Sequence, residues 1–348
     1  MRDRALHPLR GRGVPIGAGV LLAAAALLAA DGTAYDVRML PMPGAASTKV
    51  SMDYIAFDPN TRSVWVPAGD TGLVVVVSEK GALQPISGFP TAEMGTGDRK
   101  RMVGPSSVTM GDGVVYVGNR ADSSVCAFDA RSLRKGACHK LDSMPDGLAF
   151  VAGRGEVWVT TPRDHSIRIL DAKSLEQTAR LVFEGDPEGF AVDGKRGRFY
   201  TNLEDKDRTL AIDLASRKTV ATWMPKCGEE GPHGLRVDPA RGQLFVACST
   251  RVEVLDAAHD GAVLSSIDTG DGVDDIDYAP STHRLYAGAA RAGQLTIAAV
   301  DEQGKLTSVA VVPTHAGARN PAVTDKGAVY LAHSSYGGLR DLVVVTPK

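Results

Sequence analysis

The 348-residue sequence carries none of the short signatures that mark most enzyme classes. It has no Gly-x-Ser-x-Gly elbow, no His-Glu-x-x-His zinc motif and no Cys-x-x-Cys-His haem attachment. Phosphate-binding loops and dinucleotide fingerprints are absent as well, so no reaction class is singled out by a linear motif. Charge of neither sign is in excess, with 39 Lys and Arg against 41 Asp and Glu. So balanced a chain offers no basic surface for a polyanion, and nucleic acid is not an expected partner. Cysteine is scarce, at four residues, and aromatics make up only 5%. Glycine is plentiful at 38 residues, and 43% of the chain is hydrophobic. That is ample for a large core, and the combination fits many short strands joined by tight turns.

The one long uncharged stretch lies at the start. Arg2, Arg4, Arg10 and Arg12 precede an Ala- and Leu-rich run, Gly13 to Ala30, and Gly32-Thr33-Ala34 offers small residues for cleavage before Tyr35. This is the layout of an export signal, so residues 1–34 are expected to be removed and 35–348 to form the mature domain, with no membrane span of its own. A retained anchor is the competing reading, which Pro15, Gly17 and Gly19 weaken. Without the four arginines and with Asp3 and Asp31 also gone, 35 basic and 39 acidic residues remain. A periplasmic or secreted protein follows, and in those compartments disulfides persist.

What fills the rest is a repeat. Seven related segments recur about 40 to 50 residues apart: Asp53-Tyr54-Ile55-Ala56-Phe57, Ser106-Ser107-Val108-Thr109-Met110, Asp146-Gly147-Leu148-Ala149-Phe150, Glu188-Gly189-Phe190-Ala191-Val192, His233-Gly234-Leu235-Arg236-Val237, Asp274-Asp275-Ile276-Asp277-Tyr278 and Asn320-Pro321-Ala322-Val323-Thr324. Each is followed by a second apolar run with an aromatic at one position: Trp65, Tyr116, Trp158, Tyr200, Phe245, Tyr286 and Tyr330. Third runs such as Ser124–Asp129, Ser166–Asp171 and Arg251–Asp256 end in Asp-Ala, where the carboxylate opens a turn by capping the backbone. Fourth runs follow, such as Gln177–Phe183 and Thr219–Met224. Four short strands at this period are propeller blades, and the chain is expected to be all-β, a seven-bladed β-propeller. The last unit stops after its third strand, and Tyr35–Met42 is spare. The spare strand is expected to complete the seventh blade and close the ring, covering an open edge.

The repeat also pairs the cysteines. Cys126 and Cys138 are equidistant from the turn at Ala130–Arg134, and Cys227 and Cys248 both fall at one rim of the fifth unit, so Cys126–Cys138 and Cys227–Cys248 are the expected disulfides. A thiol metal or redox site combining Cys227 and Cys248 with His233 is the alternative for the second pair.

Second strands such as Val114-Val115-Tyr116-Val117 followed by Gly118-Asn119, third strands such as Ile167-Arg168-Ile169-Leu170-Asp171-Ala172, and the stretch Gly231-Pro232-His233-Gly234-Leu235 to Cys248 resemble the exported YVTN-type, YncE-like propellers. The resemblance spans nearly all of 35–348 and implies the propeller fold. It implies no reaction, since fold does not locate chemistry.

First strands line the central channel of a propeller, and their first residues lie at its mouth. These are Asp53, Ser106, Asp146, Glu188, His233, Asp274 and Asn320, with Pro105, Pro145, Pro187 and Pro232 stiffening four of the entries. The seven are the candidate ligand-binding residues. Asp146, Glu188, His233 and Asp274 are the candidate ligands of a divalent cation, the one cofactor such a set suits. Crowded carboxylates also favour a general base with a raised pKa. Loops after the second strands reach the same face, with Arg120, Asn202, Glu204, Arg291 and Tyr336 among them, and the long insertion Thr91–Gly104, which includes Asp98 and Arg99, overhangs it as a lid or a solvated loop. The expected function is an exported, monomeric binding or scaffold protein recognising a small molecule or a protein at this mouth. The rival is a metal-assisted hydrolase or lyase similar in outline to the propeller lactonases.

Overall fold

The computed structural model describes residues 34–44, 50–97, 100–333, 338 and 340–348. Residues 1–33 of the expected signal segment, with Asp98, Arg99 and Tyr336, lie outside the described residues. Among those described, seven four-stranded antiparallel sheets follow one another around a ring, with one additional two-stranded sheet. Six blades are continuous in sequence, and each runs from an inner strand at the channel to an outer strand at the rim. The seventh is composite: Ala318–Val323, Val329–His333 and Leu342–Pro347 are completed by Tyr35–Leu40, which pairs antiparallel with Leu342–Pro347 from Tyr35↔Pro347 to Leu40↔Leu342. The N-terminal strand closes the ring as its sequence position implied.

The core is not one mass but seven slabs, one between each pair of neighbouring blades. Successive strand residues point to opposite faces of a sheet, so each blade feeds two slabs. Val64 and Val66 pack toward the seventh blade, whereas Trp65 between them packs toward the second with Val115, Val117 and Phe128. The recurring aromatics share this direction. Tyr116, Trp158, Tyr200, Phe245, Tyr286 and Tyr330 each enter the slab shared with the following blade. All seven are buried, so a repeat with few aromatics places one in every interface.

The outer turns follow the local chemistry read from the Asp-Ala pairs. Asp129 Oδ1 accepts the Ser132 amide at 2.7 Å, Asp171 Oδ1 that of Ser174 at 2.8 Å, and Asp256 Oδ1 that of Ala258 at 2.8 Å. Both disulfides form as paired, Cys126 facing Cys138 in register across a hairpin and Cys227 bonded to Cys248. No free cysteine remains among the described residues, which removes the thiolate reading of Cys227 and Cys248.

Two local expectations change. Asp53-Tyr54-Ile55 does not extend the inner strand of the first blade, which is only Ala56–Asp58. Its backbone pairs sideways instead: Tyr54 N donates to Ser106 O at 3.0 Å, and Val108 N donates to Tyr54 O at 3.2 Å. The insertion Thr91–Gly104 carries a hairpin, Ala92–Met94 paired with Arg101–Val103, with Lys100 on Glu93 at 2.7 Å. Arg101, Met102 and Val103 line a small cavity beside Asp53, Ser106 and Arg120, so the insertion does reach the mouth.

Candidate functional site at the channel mouth

Close approach of the inner strands is set by glycine. A Cβ on Gly189 would sit 1.9 Å from the His233 carbonyl oxygen, and one on Gly234 would sit 2.6 Å from the Asp275 Cα. The residue after the mouth position must therefore be glycine in these blades for the next inner strand to fit. At Gly147 the neighbour is the Phe190 ring. Phe190 also meets Tyr54 at 5.8 Å between ring centroids. These two rings come from the first and fourth blades, on opposite sides of the ring, so an aromatic bridge spans the channel beneath the mouth.

Above that bridge the seven expected residues fall into two linked groups. In the first, Arg120 reaches from the loop after the second blade's second strand. It donates to Asp53 at 2.6 Å and also pairs with Asp146. Asn320 Nδ2 donates to Asp53 Oδ1 at 2.9 Å, and Arg319 joins Asp53 at 3.4 Å to Asp274 at 2.8 Å. Buried pairs of this kind hold position at the cost of desolvation, and losing one partner leaves a buried charge. Burial pushes the Asp53 carboxyl up despite Arg120 and Arg319. The Ser106 hydroxyl is buried and finds no hydrogen-bond partner among the described residues.

The second group surrounds His233. Asn202 Nδ2 donates to the His233 carbonyl at 2.6 Å and fixes its backbone. His233 Nδ1 lies 3.0 Å from Glu204 Oε1, and Nε2 lies 3.1 Å from Ser249 Oγ. Glu204 shares a hydrogen bond with Glu188. Burial, that hydrogen bond and the charge of Asp146 push Glu188 well above the usual carboxylate range. Burial would also raise Glu204, but the hydrogen bonds of His233 and Glu188 overcome it and hold Glu204 at about 2. His233 is raised: burial works against its charged form, and the hydrogen bond and charge of Glu204 outweigh burial. Within the pair, burial and the shared hydrogen bond favour the protonated form of Glu188, and the hydrogen bonds to Glu204 favour its ionised form.

These directions give a stability slope. Glu188 keeps a proton in the folded state that the unfolded chain loses above about pH 4.3, so its burial costs more as pH rises. The raised His233 adds stability that is complete below about pH 6.5 and is lost as pH climbs through its folded value. The contribution of Glu204 is complete above about pH 4.3 and disappears only as pH falls toward about 2. Glu188 therefore lowers stability as pH rises above about 4.3, and His233 adds to that slope only above about pH 6.5. Glu188→Gln, which copies the protonated group, is expected to raise stability at pH 8 by on the order of 1 kcal/mol and to leave it nearly unchanged at pH 4.5. Urea midpoints at the two pH values measure this.

The four candidate metal ligands are thus committed to other partners. Asp146 pairs with Arg120, Asp274 pairs with Arg319, and Glu188 and His233 both bond to Glu204. Among the described residues no three His, Cys, Asp or Glu side chains are disposed to hold a metal ion. Arg120 and Arg319 supply positive charge beside Asp146 and Asp274.

A cleft of about 530 Å³ opens on the His233 side. Glu230, His233, Ser249, Asp274, Arg291 and Arg319 line it, with Gly272, Val273 and Ala290. Arg319 and Ser249 were not among the sequence candidates. Arg319 had one signal: it occupies the position before a mouth residue that is proline or apolar in the other six blades. Ser249 had none beyond following Cys248.

The chain matches no family model and no curated protein. Solved structures do match. A chain of the mitotic checkpoint complex superposes with a TM-score of 0.72 at 14% identity, covering 99% of each chain. Streptogramin B lyase gives 0.69 at 12% identity, and U3-55K gives 0.71 at 12%, each covering 90% of this chain and 98% of the other. Likeness at such identity is likeness of fold: it supports the propeller, and no family model or curated relative supports the YVTN-type family itself. The chain is a seven-bladed β-propeller, closed by its own N-terminal strand.

Proposed function

We propose that this protein is an exported binding protein that takes a small polar molecule into the cleft between its fifth, sixth and seventh blades. One observation carries the reading. The cleft, at about 530 Å³, lies within the usual size of ligand sites and gathers His233, Asp274 and Arg319, groups of both charges. In this reading His233 and Asp274 touch the ligand. Asp53, Ser106, Asp146, Glu188 and Asn320 frame the mouth around it. Two disulfides suit an oxidising compartment, periplasmic or extracellular, and no helix among the described residues is long and apolar enough to cross a membrane. The protein acts as a monomer in this account.

A hydrolase or lyase is the second reading. The protonated Glu188 beside the ionised Glu204 and His233 favours it, since such a chain both donates and accepts a proton. The likeness in fold to streptogramin B lyase is compatible with either reading.

A thermal-shift screen of small polar compounds tests the binding reading. Compounds that raise the midpoint of the wild type are expected to lose their effect in His233→Ala and in the half-exposed Arg291→Ala. Equal stabilisation of all three proteins would place the ligand elsewhere.

A further inference from the structure

We propose that Ser249, His233 and Glu204 form a nucleophile–base–carboxylate relay that hydrolyses a small carboxylic ester in the cleft. The proposal rests on the cleft being the ligand site. Its basis is the order of the hydrogen bonds. Ser249 Oγ is 3.1 Å from His233 Nε2, and the other imidazole nitrogen, Nδ1, is 3.0 Å from Glu204 Oε1. With Glu204 ionised, Nδ1–H donates to the carboxylate. Nε2 of the neutral ring is then the acceptor for the Ser249 hydroxyl, and this orientation makes a serine nucleophilic.

The three residues come from three separate segments, and each is held. Ser249 follows Cys248, which is bonded to Cys227. The Ser249 carbonyl accepts the amides of Gly272 at 2.8 Å and Val273 at 3.0 Å. Glu204 begins the short 3-10 turn Glu204–Lys206, its amide bonded to Asp186 O at 3.0 Å. Gly231, at φ 71°, lets the segment leading to His233 pack on that turn, since a Cβ there would lie 1.7 Å from the Glu204 carbonyl oxygen. Ser249 is only 9% exposed yet lines the cleft. Arg319 lines the same cleft, and its buried Nε has no hydrogen-bond partner among the described residues. The Arg319 guanidinium brings positive charge to the cleft in which an oxyanion would form.

The chemistry balances without a cofactor. Ser249 Oγ attacks the ester carbonyl carbon while its proton passes to His233 Nε2, and the carbonyl π pair moves onto oxygen in the cleft that Arg319 also lines. The oxyanion collapses, the bond to the alkoxy group breaks, and the leaving oxygen takes the proton from Nε2 and departs as an alcohol. Water then attacks the acyl-serine with His233 again as base, releasing a carboxylic acid and restoring Ser249. Glu204 stays ionised throughout and keeps the imidazole oriented, so it is a positioning residue. The net reaction is ester plus water to acid plus alcohol.

The test uses the purified protein with a fluorophosphonate probe and, separately, p-nitrophenyl acetate. The probe is expected to add to Ser249, located by peptide mass spectrometry, and not to add in His233→Ala. Ester hydrolysis is expected to fall at least about 100-fold in Ser249→Ala. In Glu204→Gln it should fall in kcat with KM little changed. No adduct on Ser249, or an adduct formed equally in His233→Ala, overturns the relay. If a stabilising ligand still shifts the midpoint of Ser249→Ala in that case, the relay alone is wrong. If the wild type itself shows neither adduct nor shift, the binding reading has failed with it.

Discussion

Replacing Trp158 with alanine is expected to lower the stability of the whole ring by about 3–5 kcal/mol. Trp158 is fully buried in the slab between the third and fourth blades, stacked 4.6 Å from Phe199 between ring centroids, and its indole N–H donates to Glu156 Oε2 at 2.9 Å. Truncation removes the largest side chain of that slab, empties a space the rigid sheets cannot close, and frees a buried carboxylate oxygen from one of its donors. Loss at one interface is felt everywhere, because the ring is closed and each blade packs mainly against its two neighbours. Urea unfolding should show a lower midpoint with an unchanged slope. Val182→Ala in the outer strand Gln177–Val182 of the same blade is the control: Val182 is 66% exposed, and its loss is expected to cost less than about 0.5 kcal/mol. Similar costs for the two variants would mean that the aromatic repeat does not carry the interfaces.

The second large effect is expected at Arg120. Arg120→Met keeps the apolar stem and removes the charge shared by Asp53 and Asp146. Breaking a buried pair by removing one partner costs about 3–5 kcal/mol, and here one cation serves two carboxylates. The deficit should depend on pH. A buried carboxyl that has lost its cation escapes the cost of burial by taking up a proton, so the variant is expected to be much less stable than the wild type at pH 8 and to recover part of the difference at pH 5. Adding Asp53→Asn should restore some of the loss at pH 8, a coupling that a double-mutant cycle reads directly. A deficit independent of pH would assign the damage to packing around the guanidinium instead of to charge.

Sequence and structure agree where the repeat alone decides the answer. Strands Ser124–Asp129, Ser166–Asp171 and Arg251–Asp256 stand where their alternation and Asp-Ala ends place them. Cys126 and Cys138 face each other because hairpin register follows from position relative to the turn. The seven mouth positions are also periodic, which made them legible as a set. Which of them meet is another matter, because that depends on side chains outside the period. Arg120 comes from a loop and reaches two blades, and Arg319 breaks the pattern of a single blade. The pairing of Tyr54 with Phe190 depends on the width of the channel, which no linear spacing encodes. Ser249 lies beyond the repeat and gains meaning only once the fold sets it beside His233. The positive charge at the mouth shows the same limit, since the arginines that meet Asp146 and Asp274 belong to different blades from those carboxylates.

Hydrogen–deuterium exchange, run with and without the compound that most stabilises the wild type, tests the central claim most directly. The cleft between the fifth, sixth and seventh blades is predicted to gain protection at 231–233, 249–250, 272–274, 290–291 and 319. Another cavity of about 450 Å³, between the seventh and first blades and lined by Arg62, Glu79, Lys80 and Tyr330, is the built-in comparison. Protection there, with the His233 side unchanged, would contradict the account.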